Sequence, residues 1–584
     1  MKKMVGRFSG GKEPGHISST DFADGLIAKT QKAYSVLILA LFVSAASSQA
    51  QTSTNLYWDP NGTTGGIGGS GSYSSTSATQ WTTNTNGTGP MVGGGWTTAN
   101  ATSGTGNNAI YQGTVGTVSM NQTLSANQIQ VNVSGYTIQN TNISSSYYLR
   151  SKTGILLGQG VNLNISSPVM TNGTATGFEG VITNSPGTSG AQITVTGATT
   201  TADSSVRVSL DGAGSVSGSN TVVFVPIRIA TTGSGYASLR SLGGDVNLYG
   251  NVNVDSGSRL VLQGGTNSSG SRSIRVRGNL TTVNTDLVIN ESGDNGTVIL
   301  YGTNSIGGNV VLANSKLGYA SKEAFGNATL VVSNNTTLGQ YSGIGATDSD
   351  RTIPNAISLK GDVTFGFGTY GNYLGGNLDL NGGTRTMNLT NSTYLFGVVS
   401  NGGINLVNPA SSRTLYLNGN NTYAGGTTQN GGVISLGNNS ALGVGSLTVM
   451  SNNLSTNVSV VTNAGVAVTN TNVSTILNTL TISADRSITN TINLSPGAAY
   501  TMDTGSNNWT QIGAISGSGS ITKTGVGTLT LTGNNSYSNG TTVANGSLMV
   551  VRPNVTATIT SNSVSLVFSN GTAIGNYPVL PGTL

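Results

Sequence analysis

The 584-residue sequence contains no cysteine, and its one histidine, His16, lies near the N-terminus. Disulfides are therefore excluded, as are Cys-His pairs, Ser-His-Asp triads and cysteine or histidine metal sites in the remainder of the chain. Charged residues supply only 7% of the sequence, against about 25% in an average globular protein. No basic run indicates nucleic acid as a ligand.

Glycine is abundant instead, with 86 residues, and serine, threonine and asparagine fill most of the remaining sequence. Hydrophobic residues make up 36% and are spread evenly as short pairs of valine, isoleucine and leucine. Disordered chains also lack large apolar residues but usually carry a high net charge, whereas the formal net charge here is +5. The composition therefore favours many short strands over disorder or a helical enzyme.

Residues 1–50 have the pattern of an export signal. Lys29 and Lys32 precede an apolar run at 36–43, and the segment 48–50 offers small residues where a signal peptidase cuts. The run is too short to span a bilayer, which needs about 20 residues. We expect cleavage at or near residue 50, and a buried N-terminal helix is the alternative interpretation.

The next segment, residues 51–110, is rich in glycine and threonine and holds three of the four tryptophans, Trp58, Trp81 and Trp96. Aromatic anchors in such a segment can cap the open edge of a sheet, which otherwise invites aggregation. Alternatively, Trp58 and Trp81 form a face on which sugar rings stack. The sequence leaves both interpretations open.

From residue 111 to 551 short stretches alternate apolar and polar residues, and each ends at glycine, asparagine or aspartate. This alternation predicts strands, and no stretch has helical spacing. About 440 such residues exceed a single sandwich or barrel, and no proline-rich linker divides them. They indicate either a string of domains or one solenoid.

Internal repeats favour the solenoid. A segment that starts at Thr414 recurs at Thr528 with a constant offset of 114 residues. The two copies agree at Thr414/Thr528, Leu415/Leu529, Leu417/Leu531, Gly419/Gly533, Asn420/Asn534, Asn421/Asn535, Tyr423/Tyr537, Gly426/Gly540, Thr427/Thr541, Thr428/Thr542 and Gly432/Gly546. A fainter copy from Thr297 keeps Asn304 and Gly326, which correspond to Asn421 and Gly443.

The repeat also predicts a register. Leu529 and Leu531 point to one face of a strand and the intervening threonines to the other. The apolar pair Leu548 and Val550 follows 19 residues later, and the pair at 434 and 436 follows Leu415 and Leu417 by the same interval. Because a short strand cannot bury one face alone, successive coils must stack into a continuous core.

The segments 421–449 and 527–548 resemble the autotransporter-associated β-strand repeat, and the region 297–407 resembles it more loosely. The resemblance implies a β-helical passenger of an exported bacterial protein, with no catalytic residues. It also implies a C-terminal translocator barrel, but only 35 residues follow Met549. We therefore expect a shortened chain or another route of export, and membrane association through a translocator that this chain lacks.

Carboxylate pairs are the remaining option for chemistry. Asp348 and Asp350 would share a face if they lay in a strand, which suits calcium or a glycosidase pair. Glu291 with Asp294 forms a second cluster. The alternative for Asp348 and Asp350 is a charged surface turn before a strand at Ile353.

The sequence as a whole predicts an all-β fold, an elongated parallel β-solenoid with a Trp/Gly-rich N-terminal cap. The expected segments are a signal peptide at 1–50, the head or cap at 51–110, a solenoid with degenerate repeats at 111–296, a solenoid with autotransporter-associated repeats at 297–551 and a tail at 552–584. We expect a secreted or surface-displayed, non-enzymatic scaffold or adhesin without cofactors, whose partners are surface or matrix polysaccharides or proteins. The alternatives are a polysaccharide-active β-helix that uses acidic residues and a carbohydrate-binding module centred on the head.

Overall fold

The computed structural model describes much of the chain between residues 53 and 578. The gaps in this description are 63–64, 74–79, 89, 93–105, 141–146, 167–175, 180, 200–204, 210–220, 234–235, 242–244, 268–269, 290–295, 346, 409–412, 452–453, 464–465, 476–477, 553–554, 561–562 and 569–572. The predicted signal peptide and the pair Glu291 and Asp294 lie outside the described residues. Within them, no helix is long and apolar enough to cross a membrane.

The described part is almost entirely β-strand, with one helical turn, α1 (Asp348–Arg351). Strands up to residue 289 are β1 (Asn55–Trp58), β2 (Gly71–Tyr73), β3 (Trp81–Thr82), β4 (Asn108–Tyr111), β5 (Thr117–Met120), β6 (Leu124–Val131), β7 (Thr137–Asn140), β8 (Tyr147–Leu157), β9 (Asn162–Ser166), β10 (Thr176–Glu179), β11 (Val181–Asn184), β12 (Gln192–Thr199), β13 (Ser205–Ser209), β14 (Thr221–Val223), β15 (Ile227–Gly233), β16 (Tyr236–Ser241), β17 (Val246–Leu248), β18 (Val252–Val254), β19 (Leu260–Gly264), β20 (Thr266–Asn267), β21 (Gly270–Ser271), β22 (Ser273–Val276), β23 (Leu280–Thr282) and β24 (Leu287–Ile289).

The next strands are β25 (Thr297–Leu300), β26 (Ser305–Ile306), β27 (Val310–Leu312), β28 (Lys316–Tyr319), β29 (Leu330–Val332), β30 (Thr336–Gln340), β31 (Ile357–Leu359), β32 (Val363–Phe365), β33 (Asn372–Leu374), β34 (Leu378–Asp379), β35 (Thr384–Leu389), β36 (Thr393–Leu395), β37 (Val399–Ser400), β38 (Gly403–Val407), β39 (Thr414–Leu417), β40 (Thr427–Asn430), β41 (Gly432–Leu436) and β42 (Leu447–Val449). The last strands are β43 (Leu454–Asn463), β44 (Val466–Thr475), β45 (Asn478–Ile482), β46 (Arg486–Ile488), β47 (Ile492–Leu494), β48 (Ala499–Asp503), β49 (Trp509–Gln511), β50 (Ile515–Gly517), β51 (Ser520–Thr524), β52 (Thr528–Leu531), β53 (Thr541–Val543), β54 (Ser547–Arg552), β55 (Val555–Thr560), β56 (Ser563–Phe568) and β57 (Ala573–Pro578).

Most of these strands build the predicted parallel β-solenoid, whereas β20 with β21, β43 with β44, and the C-terminal series β54 to β57 pair antiparallel. A typical coil contributes three strands, such as β31, β32 and β33, and each pairs in parallel with its counterpart one coil later, β34, β35 and β36. In the repeat, Leu415 pairs with Ile434 and Leu529 pairs with Leu548. The 19-residue interval in the sequence is therefore one coil, and the prediction of stacked coils is confirmed.

The register within a coil is also as predicted. Leu529 and Leu531 are buried, with exposed fractions of 0% and 1%, while Thr528 and Thr530 are half-buried on the outer face. Burying one leucine side chain contributes about 1.5–3 kcal/mol. The core is therefore a continuous column of aliphatic side chains, to which each coil adds a few residues.

Buried asparagines tie the coils together at one corner. The Asn421 Oδ1 accepts a hydrogen bond from the Val399 N–H at 2.8 Å, and its Nδ2 donates to the Ala441 carbonyl at 2.6 Å. Asn304, at the equivalent position of the fainter copy, makes the same pair of bonds to Leu280 and Ala324. Each asparagine thus spans three successive coils.

A glycine accompanies this corner in both copies. Gly443 has φ +63°, and a Cβ there would lie 2.3 Å from the Tyr423 carbonyl oxygen. Gly326 has φ +52°, and its Cβ would lie 2.5 Å from the Asn304 carbonyl oxygen. A side chain at either position would collide with the backbone of the preceding coil, which explains the glycine at this point of the repeat.

Candidate binding groove

The loop between β30 and β31 carries α1 and forms one wall of a surface groove. Thr347 precedes the turn, its hydroxyl accepts from the Asp350 N–H at 3.4 Å, and it donates to the Asp350 Oδ2 at 2.8 Å. The Arg351 Nε donates to the Gly345 carbonyl at 2.8 Å. These local bonds close a single capped turn before the buried Ile353.

This geometry settles the backbone conformation at Asp348 and Asp350. The two residues lie in a helical turn rather than in a strand, so the shared strand face that would suit calcium or a glycosidase pair is not formed. The Asp350 carboxylate is exposed and bonded to its own cap residue. Among the described residues, no group of three or more His, Asp or Glu side chains could hold a metal ion.

Next to α1 lies a shallow depression of about 540 Å³, lined by Ser349, Thr352, Pro354, Gly375 and Phe396. Phe396 is 39% exposed. Because Leu374 pairs with Leu395, Gly375 occupies the same position as Phe396 one coil earlier. A Cβ at Gly375 would lie 2.7 Å from the Thr352 Cγ2, so this glycine allows the loop to pack against the sheet beside the aromatic ring.

A second depression of about 500 Å³ adjoins the first, and the two share Thr352 and Pro354. Its walls include Thr303, Ser305 and the neighbouring pair Lys322 and Glu323. The Lys322 Nζ lies 3.7 Å from the Glu323 Oε1, and both side chains are about half exposed. We call the two depressions together the binding groove.

The side chains that line the binding groove are suited to binding a ligand by hydrogen bonds and apolar contact. Its lining combines threonine and serine hydroxyls, backbone groups, one exposed aromatic ring and one exposed ion pair. Hydroxyls can donate and accept hydrogen bonds, and an aromatic ring offers apolar contact area. This set of groups suits a neutral ligand with many hydroxyls.

A ladder of tyrosines adjoins the groove on the outer face of β33, β36 and β39. The rings of Tyr373 and Tyr394 are stacked with centroids 4.5 Å apart, and those of Tyr394 and Tyr416 are 4.0 Å apart. The Phe396 ring lies 6.5 Å from Tyr373, and the Arg351 guanidinium lies 5.9 Å above the Tyr373 ring. Burial raises the pKa of Tyr394 above its ordinary value, so the Tyr394 hydroxyl stays protonated at neutral pH.

This aromatic surface was not predicted from the sequence. A signal was present, because a Tyr-Leu pair recurs at residues 373, 394 and 416, at the spacing of one coil. The leucine of each pair is buried and the tyrosine is on the opposite face. No repeated pattern in the sequence pointed to Phe396. The groove around this residue is lined by the loop that carries α1, and only the folded structure shows that the loop lies next to Phe396.

Two of the three tryptophans of the head, Trp58 and Trp81, lie in the core, and Trp96 lies outside the described residues. Trp58 and Trp81 have exposed fractions of 0% and 1%, and their ring centroids are 5.3 Å apart in an edge-to-face arrangement. Tyr111 packs against both rings. β3 pairs antiparallel with β1, whose other edge pairs with β4. Because these rings are buried, they do not favour a sugar-stacking face at Trp58 and Trp81. The rings fill the end of the core, and β3 covers the edge of β1.

The fold and the binding groove define a solenoid repeat protein that presents an outer contact surface. The family model described as passenger-associated-transport-repeat matches residues 412–436 and 521–550. The chain is 26% identical over 445 residues to the protein named adhesin BmaC autotransporter from Brucella suis biovar 1 (strain 1330). That match covers 71% of this chain and 12% of the relative. No solved structure matches the chain.

These matches confirm the resemblance seen in the sequence. The chain thus carries repeats of the autotransporter-passenger type within a β-solenoid. Passenger repeats of this kind imply secretion to the cell surface in association with the outer membrane, which agrees with the predicted localisation. The extents of the predicted segments and the identity of the partners remain predictions.

Proposed function

We propose that this chain is a non-catalytic surface adhesin whose binding groove contacts glycans. The observation that carries the proposal is the groove itself, where hydroxyl side chains surround the exposed Phe396 ring beside an ion pair. The matched relative is named an adhesin, and this chain spans only 12% of its length. The repeat match at 412–436 includes β39, which pairs with β36, the strand that carries Tyr394 and ends next to Phe396.

The carboxylates of the described residues support a non-catalytic role. Several of them hold neighbouring coils together: Asp255 pairs with Arg228 at 2.7 Å, and Asp245 pairs with Arg275 at 2.8 Å. Others accept backbone N–H groups one coil later, such as Asp286 from Asn309 and Asp485 from Asn508, each at 2.7 Å. Acids used in this way are dispersed along the stack, whereas a glycosidase needs two of them about 5–9.5 Å apart across a substrate.

The test uses the purified exported chain against an array of surface and matrix glycans. Phe396→Ala removes the exposed ring, and loss of one stacking contact of about 0.5–1.5 kcal/mol should weaken glycan binding roughly twofold to tenfold. Phe224→Ala is the matched control, because Phe224 is also 39% exposed but follows β14 in a distant coil. Equal binding by the two variants would contradict the assignment of the groove.

The same material tests the absence of catalysis. We expect no depolymerisation of pectin, alginate or related polymers, with or without calcium. Binding should change little with salt, because the groove offers one ion pair and no cluster of like charges. Cleavage that disappears in the double variant Asp348→Asn/Asp350→Asn would instead support the polysaccharide-active alternative.

A further inference from the structure

A long hairpin is inserted into the solenoid between β42 and β45. The strands β43 and β44, of ten residues each, form an antiparallel hairpin and a two-stranded sheet of their own. The ladder bypasses the hairpin, because β41 pairs with β45 directly, with Gly432 opposite Asn478. At 3.3–3.4 Å per residue, each strand is about 30 Å long. The hairpin is therefore an insertion into a coil that is already complete.

The base of the hairpin is fixed to the solenoid. The Asn478 Nδ2 donates to the Met450 carbonyl at 2.8 Å, and its Oδ1 accepts from the Gly431 N–H at 2.6 Å. Met450 directly follows β42, and Asn478 begins β45. The chain thus leaves and re-enters the coil at neighbouring points, while the pairings of β42 with β40 and β47 continue the stack.

Both outer edges of the hairpin lack lysine, proline and a bulge, and no other strand in the described part of the chain pairs with either edge. Natural edge strands carry lysine, proline or a bulge, or are covered by another element. The sequence has no charged residue between Arg413 and Asp485 and no proline between Pro409 and Pro496. The ten pairs from Leu454–Thr475 to Asn463–Val466 run without a shift of register. By contrast, the edge of β1 is covered by β3.

The composition of the hairpin favours further pairing. Residues 454–475 are rich in valine and threonine, which favour strands, and carry no charge. An isolated two-stranded hairpin is only marginally stable in water, whereas three or more strands can form a stable sheet. Two copies that pair edge to edge would form four strands, and the absence of charge removes any repulsion between identical segments.

We propose that the hairpin β43–β44 is a self-association site, at which a second copy of this chain adds its own hairpin edge to edge. An antiparallel pairing of the same edge of two copies about a two-fold axis satisfies both copies equally and gives a dimer with a four-stranded sheet. Backbone hydrogen bonds supply the binding, as in other cases of strand addition. This site is separate from the binding groove and would let two displayed passengers hold each other.

The experiment is sedimentation velocity of the purified exported chain over a concentration series. The first variant deletes residues 452–476 and joins the ends with a short glycine-asparagine turn, which the adjacent positions of Met450 and Asn478 permit. The second, Val458→Lys/Val468→Lys, places one charge on each strand. We expect a concentration-dependent dimer in the parent chain and at least a tenfold weaker association in both variants.

A matched control adds the same charge elsewhere. Val444 and Val526 are 74% and 66% exposed, so Val444→Lys/Val526→Lys makes the same chemical change outside the hairpin and should leave the dimer intact. Amide exchange in residues 454–475 should slow as the parent chain is concentrated. A monomeric parent chain, or a dimer that survives the deletion, would overturn the proposal. Glycan binding by the deletion variant tests the groove separately, so the two proposals can fail independently.

Discussion

Replacement of Asn421 by alanine tests how the coils are held together at their corner. Asn421 is 2% exposed, and its side chain satisfies the Val399 N–H and the Ala441 carbonyl in the two neighbouring coils. Asn421→Ala leaves both backbone groups without this partner in a buried position. Asn421→Asp keeps an acceptor for the Val399 N–H but loses the donor to Ala441.

The expected cost follows from the number of groups left unsatisfied. One buried unsatisfied donor or acceptor costs about 1–3 kcal/mol, so Asn421→Ala should destabilise its coils by about 2–6 kcal/mol. The neighbouring Asn420 is exposed, and Asn420→Ala should change stability by less than about 0.5 kcal/mol. The quantity to measure is therefore the difference between the two variants in the free energy of unfolding.

Native-state hydrogen exchange is the suitable assay, because a stack of coils need not unfold in a single step. Protection should fall in β37, β39 and β42 for Asn421→Ala and remain unchanged for Asn420→Ala. If the two alanine variants have the same protection, or if Asn421→Ala is within about 0.5 kcal/mol of the parent, the asparagine does not hold the coils and the reasoning fails.

Three further predictions concern single positions. Leu531→Asp should unfold its coil locally because it buries an unpaired carboxylate, whereas Thr530→Asp should be nearly silent; equal melting temperatures would contradict the register. Burial lowers the pKa of Lys523 to about 8, and an unfolded lysine keeps its proton to a higher pH, so local stability should rise from about pH 8 upwards. That rise, followed by hydrogen exchange, should be absent in Lys523→Met. N-terminal sequencing of secreted protein should begin at or near Gln51, and a start before Val36 would refute the signal peptide.

The fold was largely predictable because its determinants are local and repeated. Alternation in Thr528–Leu531 specifies which face is buried, and the recurrence of Leu415 at Ile434 specifies the length of a coil. The asparagine and glycine of the corner were visible as repeated positions, although their bonds to neighbouring coils were not. Such contacts join residues about 20 positions apart in the chain, and only the stack shows which backbone groups they meet.

The candidate site was less predictable, because it depends on irregular insertions. The loop with α1 interrupts the repeat, and the binding groove exists only where this loop meets Gly375 and Phe396. The spacing of Asp348 and Asp350 suggested a carboxylate pair on one face of a strand, but their segment is a helical turn capped by Thr347. Trp58 was ambiguous for a different reason, since a large ring can serve equally as a surface contact or as core.

The short sequence separation between paired strands affects how the molecule folds and unfolds. Leu415 meets Ile434 and Leu529 meets Leu548, so a strand finds its partner within the next turn of the chain. A segment can therefore take up its final conformation as soon as the following turn is at hand, whatever the state of the distant remainder. A pulling force on one end would likewise detach the turns one after another from that end.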